Sequence, residues 1–164
     1  MAITTVYQLD MKSVRRMIAV ALSLSDDMVI DASDEIDTHQ YPHFITVQVV
    51  SQNELGSQLF YDGINEQEIL SSVSEITISV NAYGVDSYLL INKLISSMDV
   101  TSIYQMQRKM KMGFLRASQI KNILSSTSGG QEQHSQVDLT FLITKIIKAD
   151  VQRGESVQIK TEVN

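Results

Sequence analysis

Ile76, Ile78, Val80 and Ala82 alternate strictly with Thr77, Ser79 and Asn81. A period of two places the apolar set on one face of an extended chain and the polar set on the other. A helix has no use for that pattern, so this stretch commits the chain to a half-buried sheet. The extended run reaches back to Glu68, and Glu68–Tyr83 is long enough to project beyond the sheet. Val137, Leu139, Phe141 and Ile143 repeat the alternation against Asp138, Thr140 and Thr144, and Ile45, Val47 and Val49 against Thr46 and Gln48.

Other segments carry a helical period. Val14, Ile18, Ala21 and Leu22 form one apolar face and predict a helix over 4–24, with Lys12, Arg15 and Arg16 off the stripe. Tyr88, Ile91, Ile95 and Met98 predict a second helix, and Ser102–Met110 a third, short one. Gly84 punctuates the strand before the second helix, because a sharp strand-to-helix turn needs a residue tolerant of unusual φ. Asp86 is positioned to cap that helix through its carboxylate.

The remaining segments read as connections or shorter strands. Residues 25–42 are polar and acidic and end at Tyr41-Pro42, which favours entry into an extended segment. Asn53-Glu54-Leu55-Gly56-Ser57 reads as a break, Gln58–Tyr61 as a short strand and Asp62-Gly63 as a turn. Phe114–Ile123 reads as one strand after Gly113, and the Ser- and Gly-rich run 125–130 as a flexible loop. The polar tail after Asp150 holds Val157 and Ile159 in alternation, a pattern that suits an edge strand or a strand donated to a neighbour. The expected fold is α+β: a mainly antiparallel or mixed sheet of about five strands, two helices on one face and an additional N-terminal helix. A single domain over 1–164 is expected, made of the helix 1–24, a core 41–148 and an extension 149–164.

Composition excludes several chemistries. The 164 residues contain no cysteine, which removes disulfide frameworks, thiolate metal sites and cysteine nucleophiles. The N-terminus lacks the basic-then-apolar layout of a signal peptide, and no apolar run approaches a membrane span, so a soluble protein made inside the cell is expected. His39 and His43 are four apart, but Pro42 intervenes, and His134 is remote in sequence; no metal-binding spacing results. Neither G-x-S-x-G nor a phosphate-binding glycine loop is present. No catalytic residue, cofactor or metal is expected.

Charge is uneven. The net charge is −6, which opposes affinity for nucleic acid driven by phosphate neutralisation. Residues 1–82 hold 12 acids and 3 bases, and residues 83–164 hold 7 acids and 10 bases. The acids cluster at Asp26, Asp27, Asp31, Asp34, Glu35 and Asp37; the bases cluster at Arg108, Lys109 and Lys111, followed by Arg116 and Lys121. Each cluster suits a solvated surface or a contact of opposite sign, and the basic one also suits the end of a helix.

Four segments together resemble the tail-terminator-like (neck terminator) proteins of tailed bacteriophages. They are the strand Pro42–Val49, the strand and aromatic-glycine step Ile76–Ser87, the segment Gly113–Ile123 and the closing strand Gln136–Phe141. The resemblance spans Tyr41 to Ile147. Gln131–Ser135 departs from the charged, Arg-rich stretch usual before the closing strand in that family. The resemblance implies a structural virion protein, made in the cytoplasm of a bacterial host, that forms a homo-oligomeric ring, commonly a hexamer. It implies a ring at the head-proximal end of the tail, ending growth of the tail tube and joining the head connector. The implied partners are further copies of itself, the tail tube and sheath proteins and the neck proteins, with genomic DNA passing through the lumen and no membrane involved. Within that picture Arg108, Lys109, Lys111, Asp26 and Asp27 are candidate subunit-interface residues. Asp62, Gly63, Asn65, Gly129, Gly130 and Gln131 are candidate contacts to the tail or connector. A head-completion or stopper protein of the neck is the close alternative, and a small-ligand-binding α+β module the alternative of a different class.

Overall fold

The computed structural model describes residues 2–34, 42–127 and 130–151. Glu35, Asp37, His39, Tyr41, Gly129, Val157 and Ile159 therefore lie outside the described residues. The order is β1 (Ile3–Tyr7), α1 (Met11–Leu22), a 3-10 turn (Asp26–Met28), β2 (Val29–Asp31), β3 (Phe44–Asp62), β4 (Gln67–Tyr83), α2 (Ser87–Ser97), α3 (Thr101–Lys109), β5 (Met112–Ala117), β6 (Lys121–Thr127) and β7 (Gly130–Asp150).

The expected α+β class holds, but the sheet has seven strands rather than five. Its main path is β1-β7-β4-β3-β2, antiparallel except for the β2–β3 pair. The 21-residue β7 is its spine. One edge of β7 pairs with β4 from His134 to Asp150. The other edge is covered end to end by three short strands: β6 along 130–136, β5 along 139–143 and β1 along 146–149.

The period-two pattern does what it dictated. Ile76, Ile78, Val80 and Ala82 of β4 and Val137, Leu139, Phe141 and Ile143 of β7 are all buried in the core. Each of these side chains larger than Ala82 stabilises the fold by about 1.5–3 kcal/mol. α2 lies over β4 and β7, and α1 packs against α2, α3 and β2. Val14, Met17, Ile18, Ala21 and Leu22 of α1 complete the core from above.

Several expected boundaries move, each for a local reason. The predicted helix 4–24 is divided. Thr4, Thr5 and Tyr7 are β-branched or aromatic and pair with β7 instead, with Val6 at a register shift between them. The helix starts after Asp10, whose carboxylate accepts the Lys12 amide hydrogen bond at 3.0 Å. It ends at Ser23, which takes the left-handed conformation (φ 56°). The acidic connection contains β2, where buried Val29 and Ile30 add a parallel strand to β3.

Asn53–Ser57 does not break its strand. β3 runs through with register shifts at Val49/Ser51 and Glu54/Gly56, and its residues from Val49 to Tyr61 are solvent-exposed. With neither face buried there, polar residues carry no penalty, and the bulges absorb the irregularity. Phe114–Ile123 is two strands. Between them the Ser118 amide donates to the Asp138 carbonyl at 2.8 Å, and its Oγ accepts from the Asp138 amide at 2.9 Å, so one serine fills the gap along β7. The run 125–130 is not a loop throughout: β6 continues to Thr127, which pairs with Gly130. At the C-terminal end, Ala149 and Asp150 belong to β7, not to an extension.

Gly84 has φ 115°, as the strand-to-helix step requires. Asp86 occupies the N-cap position of α2, but its carboxylate makes no capping bond. Its ψ of 17° is not the extended value that points a cap side chain back at the helix amides. The turn is closed by the backbone, with the Ser87 amide donating to the Gly84 carbonyl at 3.2 Å and the Leu90 amide to the Asp86 carbonyl at 3.0 Å. Buried Ser87 also meets Ser135 hydroxyl to hydroxyl at 3.2 Å. That anchor turns Ser87, Ile91, Leu94 and Met98 inward and leaves Tyr88 exposed.

Candidate assembly surfaces

Topology turns the uneven charge of the sequence into a charge gradient across the sheet. From Met17 to Asn92 there are twelve acids and no Lys or Arg; from Val100 to Gln131 there are five bases and no acid. The first stretch supplies β2, β3 and β4, and the second supplies β5 and β6, on the far side of β7. One cross-sheet row runs Ile30–Thr46–Asn81–Gln136–Lys121. It has Asp31 beside one end and a lysine at the other. A second row runs Glu54–Ser74–Ile143–Met112, with an acid at one end and Lys111 beside the other.

The basic cluster is held by the end of α3. Arg108 and Lys109 occupy its last turn, where the helix dipole favours cations. Lys111 follows in the left-handed conformation (φ 53°) and sets its Nζ 5.0 Å from the centre of the Tyr7 ring. The Tyr7 hydroxyl donates to the Met110 carbonyl. Its burial raises the phenol above its ordinary value of 10.0. Arg108 stacks over Tyr104, with its guanidinium carbon 5.9 Å from the ring centre. Lys111 therefore sits against β1, while Arg108 stays on its own helix. Arg116 takes a different role and pairs with Glu75 of β4.

Asp26 and Asp27 lie in the 3-10 turn that leads into β2. Asp26 shares a cleft of 310 Å³ with Asp10, Lys12, Ser13, Arg15, Arg16 and Val29. Arg15 pairs with Asp31 at 3.4 Å, so part of the acidic segment is answered by α1 of the same chain. Asp31 also accepts from the Ser33 hydroxyl at 2.6 Å and the Ser33 amide at 2.9 Å. Those bonds, the hydroxyl first, hold its carboxyl below the ordinary 3.8.

The candidate tail and connector contacts fall at the two ends of β7. The β3–β4 turn lies beside the end of β7, in the row Asp62–Gln67–Asp150. Gly130 and Gln131 begin β7 at the other end. A strand of 21 residues separates them by about 65 Å. Asp62 and Asn65 shape the turn from within: Asp62 accepts from the amides of Ile64 (3.0 Å) and Asn65 (3.2 Å) and from Asn65 Nδ2 (2.8 Å). What the turn presents to solvent is Ile64, 94% exposed. Below it Leu55, Leu59, Phe60 and Tyr61 are also exposed. The sequence marks the 62–68 tip as a contact through Asp62, Gly63 and Asn65, and does not single out Ile64 or the apolar residues below it. Their signal was a group of apolar side chains in a segment with no opposing face to bury them.

At the other end Phe44, Tyr83 and His134 form a stack across β3, β4 and β7, with ring centres 4.7 and 4.6 Å apart. His134 Nε2 lies 3.0 Å from Asn81 Oδ1, which ties the imidazole into the sheet. Among the described residues no three His, Asp or Glu side chains are grouped to hold a metal ion.

No curated protein matches the chain. The family model described as phage neck terminator protein matches residues 11–164. The match takes in α1 as well as the strands, and so extends beyond the resemblance over 41–147. The chain therefore belongs to the phage neck terminator family, structural proteins of the tail and neck of the virion.

Proposed function

We propose that copies of this chain close into a ring, a hexamer, at the head-proximal end of the tail. There the ring ends growth of the tail tube and presents the surface that joins the head connector. The observation that carries this reading is the opposite charge on the two sides of the sheet: exposed Glu54 ends one cross-sheet row with Lys111 beside its other end, and Lys121 ends a second row on the side away from β2. Such a subunit is complementary to itself head to tail, the kind of contact that generates closed rings. A two-fold dimer through either edge would set like charge on like.

The turns at the two ends of β7 supply one surface for the tail tube, and sheath where present, and one for the connector. The acidic excess of the whole chain lets DNA pass the lumen without adhering. The test is electron microscopy of the intact neck with this chain built into the map. A ring of six copies on the last tube layer supports the reading. A ring seated against the portal instead favours a stopper, and absence from the particle defeats both.

A further inference from the structure

Among the described residues two edges of the sheet, that of β3 and that of β1, are open at the same level. Among the described residues β2 covers only Ile45–Val47 of β3, so the outer edge from Gln48 to Asp62 has no strand beside it. The outer edge of β1 is likewise uncovered. The row Leu59–Leu70–Ile147–Thr5 joins the two edges across the sheet. Proteins usually protect an open edge with Lys, Pro, bulges or covering elements, because its free N–H and C=O groups template pairing with another chain. This stretch of β3 holds no Lys, Arg or Pro, and beyond its two register shifts the run Gly56–Asp62 is regular. It also exposes Val50, Leu55, Leu59, Phe60 and Tyr61, while β1 exposes Ile3 and Val6.

Polarity selects between possible pairings of two copies. β1 runs antiparallel to β7, β7 to β4 and β4 to β3, so β1 and β3 point in opposite directions. A neighbour related by rotation about an axis along the strands would bring its β1 to this β3 as one more antiparallel pair. Charge selects in the same sense. Lys111 stacks on Tyr7 of β1, whereas Glu54 and Asp62 on β3 and Glu66 and Glu68 in the following segment are all acidic.

Resting on the ring reading, we infer that β1 of one copy adds to the outer edge of β3 of the next, so that one hydrogen-bonded sheet continues from subunit to subunit. The exposed apolar residues of both strands are then covered by the contact. The basic end of α3 follows β1 onto the acidic side of its neighbour.

The absence of cysteine makes the test clean. Thr5→Cys, with Thr4→Cys as a second version, is combined in turn with Cys at Ser57, Gln58, Leu59 and Phe60. The full-length variants are assembled into necks, oxidised and run without reductant. Facing residues of antiparallel strands lie within disulfide reach. At least one combination should shift most of the chain into a ladder ending at the ring, while each single variant stays at monomer mass. Self-cross-linking of a single β3 variant would mean a two-fold contact and overturn the inference. So would necks that show the ring by microscopy but no ladder in any combination, with the ring reading left standing. Necks without a ring of this chain would remove that reading and this inference together.

Discussion

A β-carbon placed on Gly84 would lie 2.7 Å from the carbonyl oxygen of Pro42 and 2.9 Å from Cβ of His43. Pro42 leads into β3 and Gly84 leaves β4, so the two connections lie against each other beyond the Phe44–Tyr83 pair, where the sheet hands over to α2. The obstruction on the proline side is backbone, which cannot swing aside as a side chain would. Gly84→Ala therefore suffers both the positive φ and the clash. It should destabilise the fold by about 3 kcal/mol, measured as a lowered denaturant midpoint. An unchanged midpoint would mean that the 42–44 segment moves freely.

Gln107 is a buried amide placed between three elements. Its Nε2 donates to the Met98 carbonyl at 3.0 Å, and its Oε1 accepts from the Phe114 amide at 3.3 Å. It joins the end of α2 to the start of β5 from within α3. Gln107→Leu keeps the volume and strands both partners in the interior. The expected loss is about 3 kcal/mol, with faster hydrogen exchange at the Phe114 amide as the local signature. If that amide stays protected, the glutamine is not what holds it.

Asp62 gives a pH signature for the β3–β4 turn. The Asn65 side chain, then the Asn65 and Ile64 amides, hold its carboxyl below the ordinary 3.8. A carboxylate depressed in the folded state contributes stability that is fully present above its unfolded value and is lost as pH falls through the lower folded value. The turn should therefore stay ordered at pH 4 and loosen only below the ordinary carboxylate range. A carbon-detected titration of Asp62 should place its midpoint under 3.8, and Asn65→Ala should move it back upward. A midpoint that ignores the Asn65 substitution would assign the shift elsewhere.

The parts of this fold legible in the sequence are those where one face is buried. The β4 and β7 alternations could be read directly because every second residue meets the core. The exposed half of β3 could not, since a strand buried on neither face has no reason to alternate. β1 was absorbed into a helix because Val6 and Tyr7 stand close before a true helical period, and only pairing with β7 distinguishes them. The Asp86 cap failed on a backbone angle that residue identity does not encode. Of the site, the two charge clusters were visible as clusters. Their placement on opposite sides of the sheet depends on β7 joining the sheet between β4 and the short strands, a long-range fact. Ile64 and its apolar neighbours were hidden because a turn of Asp, Gly, Asn and Glu draws attention to its polar residues.

The charge gradient makes a prediction that separates assembly from folding. Arg108 and Lys109 project from the last turn of α3 as exposed side chains, and Glu54 is exposed on β3. Arg108→Glu with Lys109→Glu removes two cations from the end of α3 and the Arg108–Tyr104 contact, so it should lower stability by about 1–2 kcal/mol and leave the chain folded. In a head-to-tail ring the same change sets acid against acid at every boundary. Incorporation into necks should fall by about tenfold or more, which takes only about 1.4 kcal/mol summed over the contacts a subunit makes, and the defect should ease at high salt, where exposed charges are screened. Adding Glu54→Lys in the same chain should restore part of the loss by reversing the sign on the facing edge. Incorporation equal to that of the parent chain at low salt would show that these charges do not meet across a subunit boundary. Loss of incorporation together with loss of the folded state would instead show that the basic turn serves to close α3 onto β1.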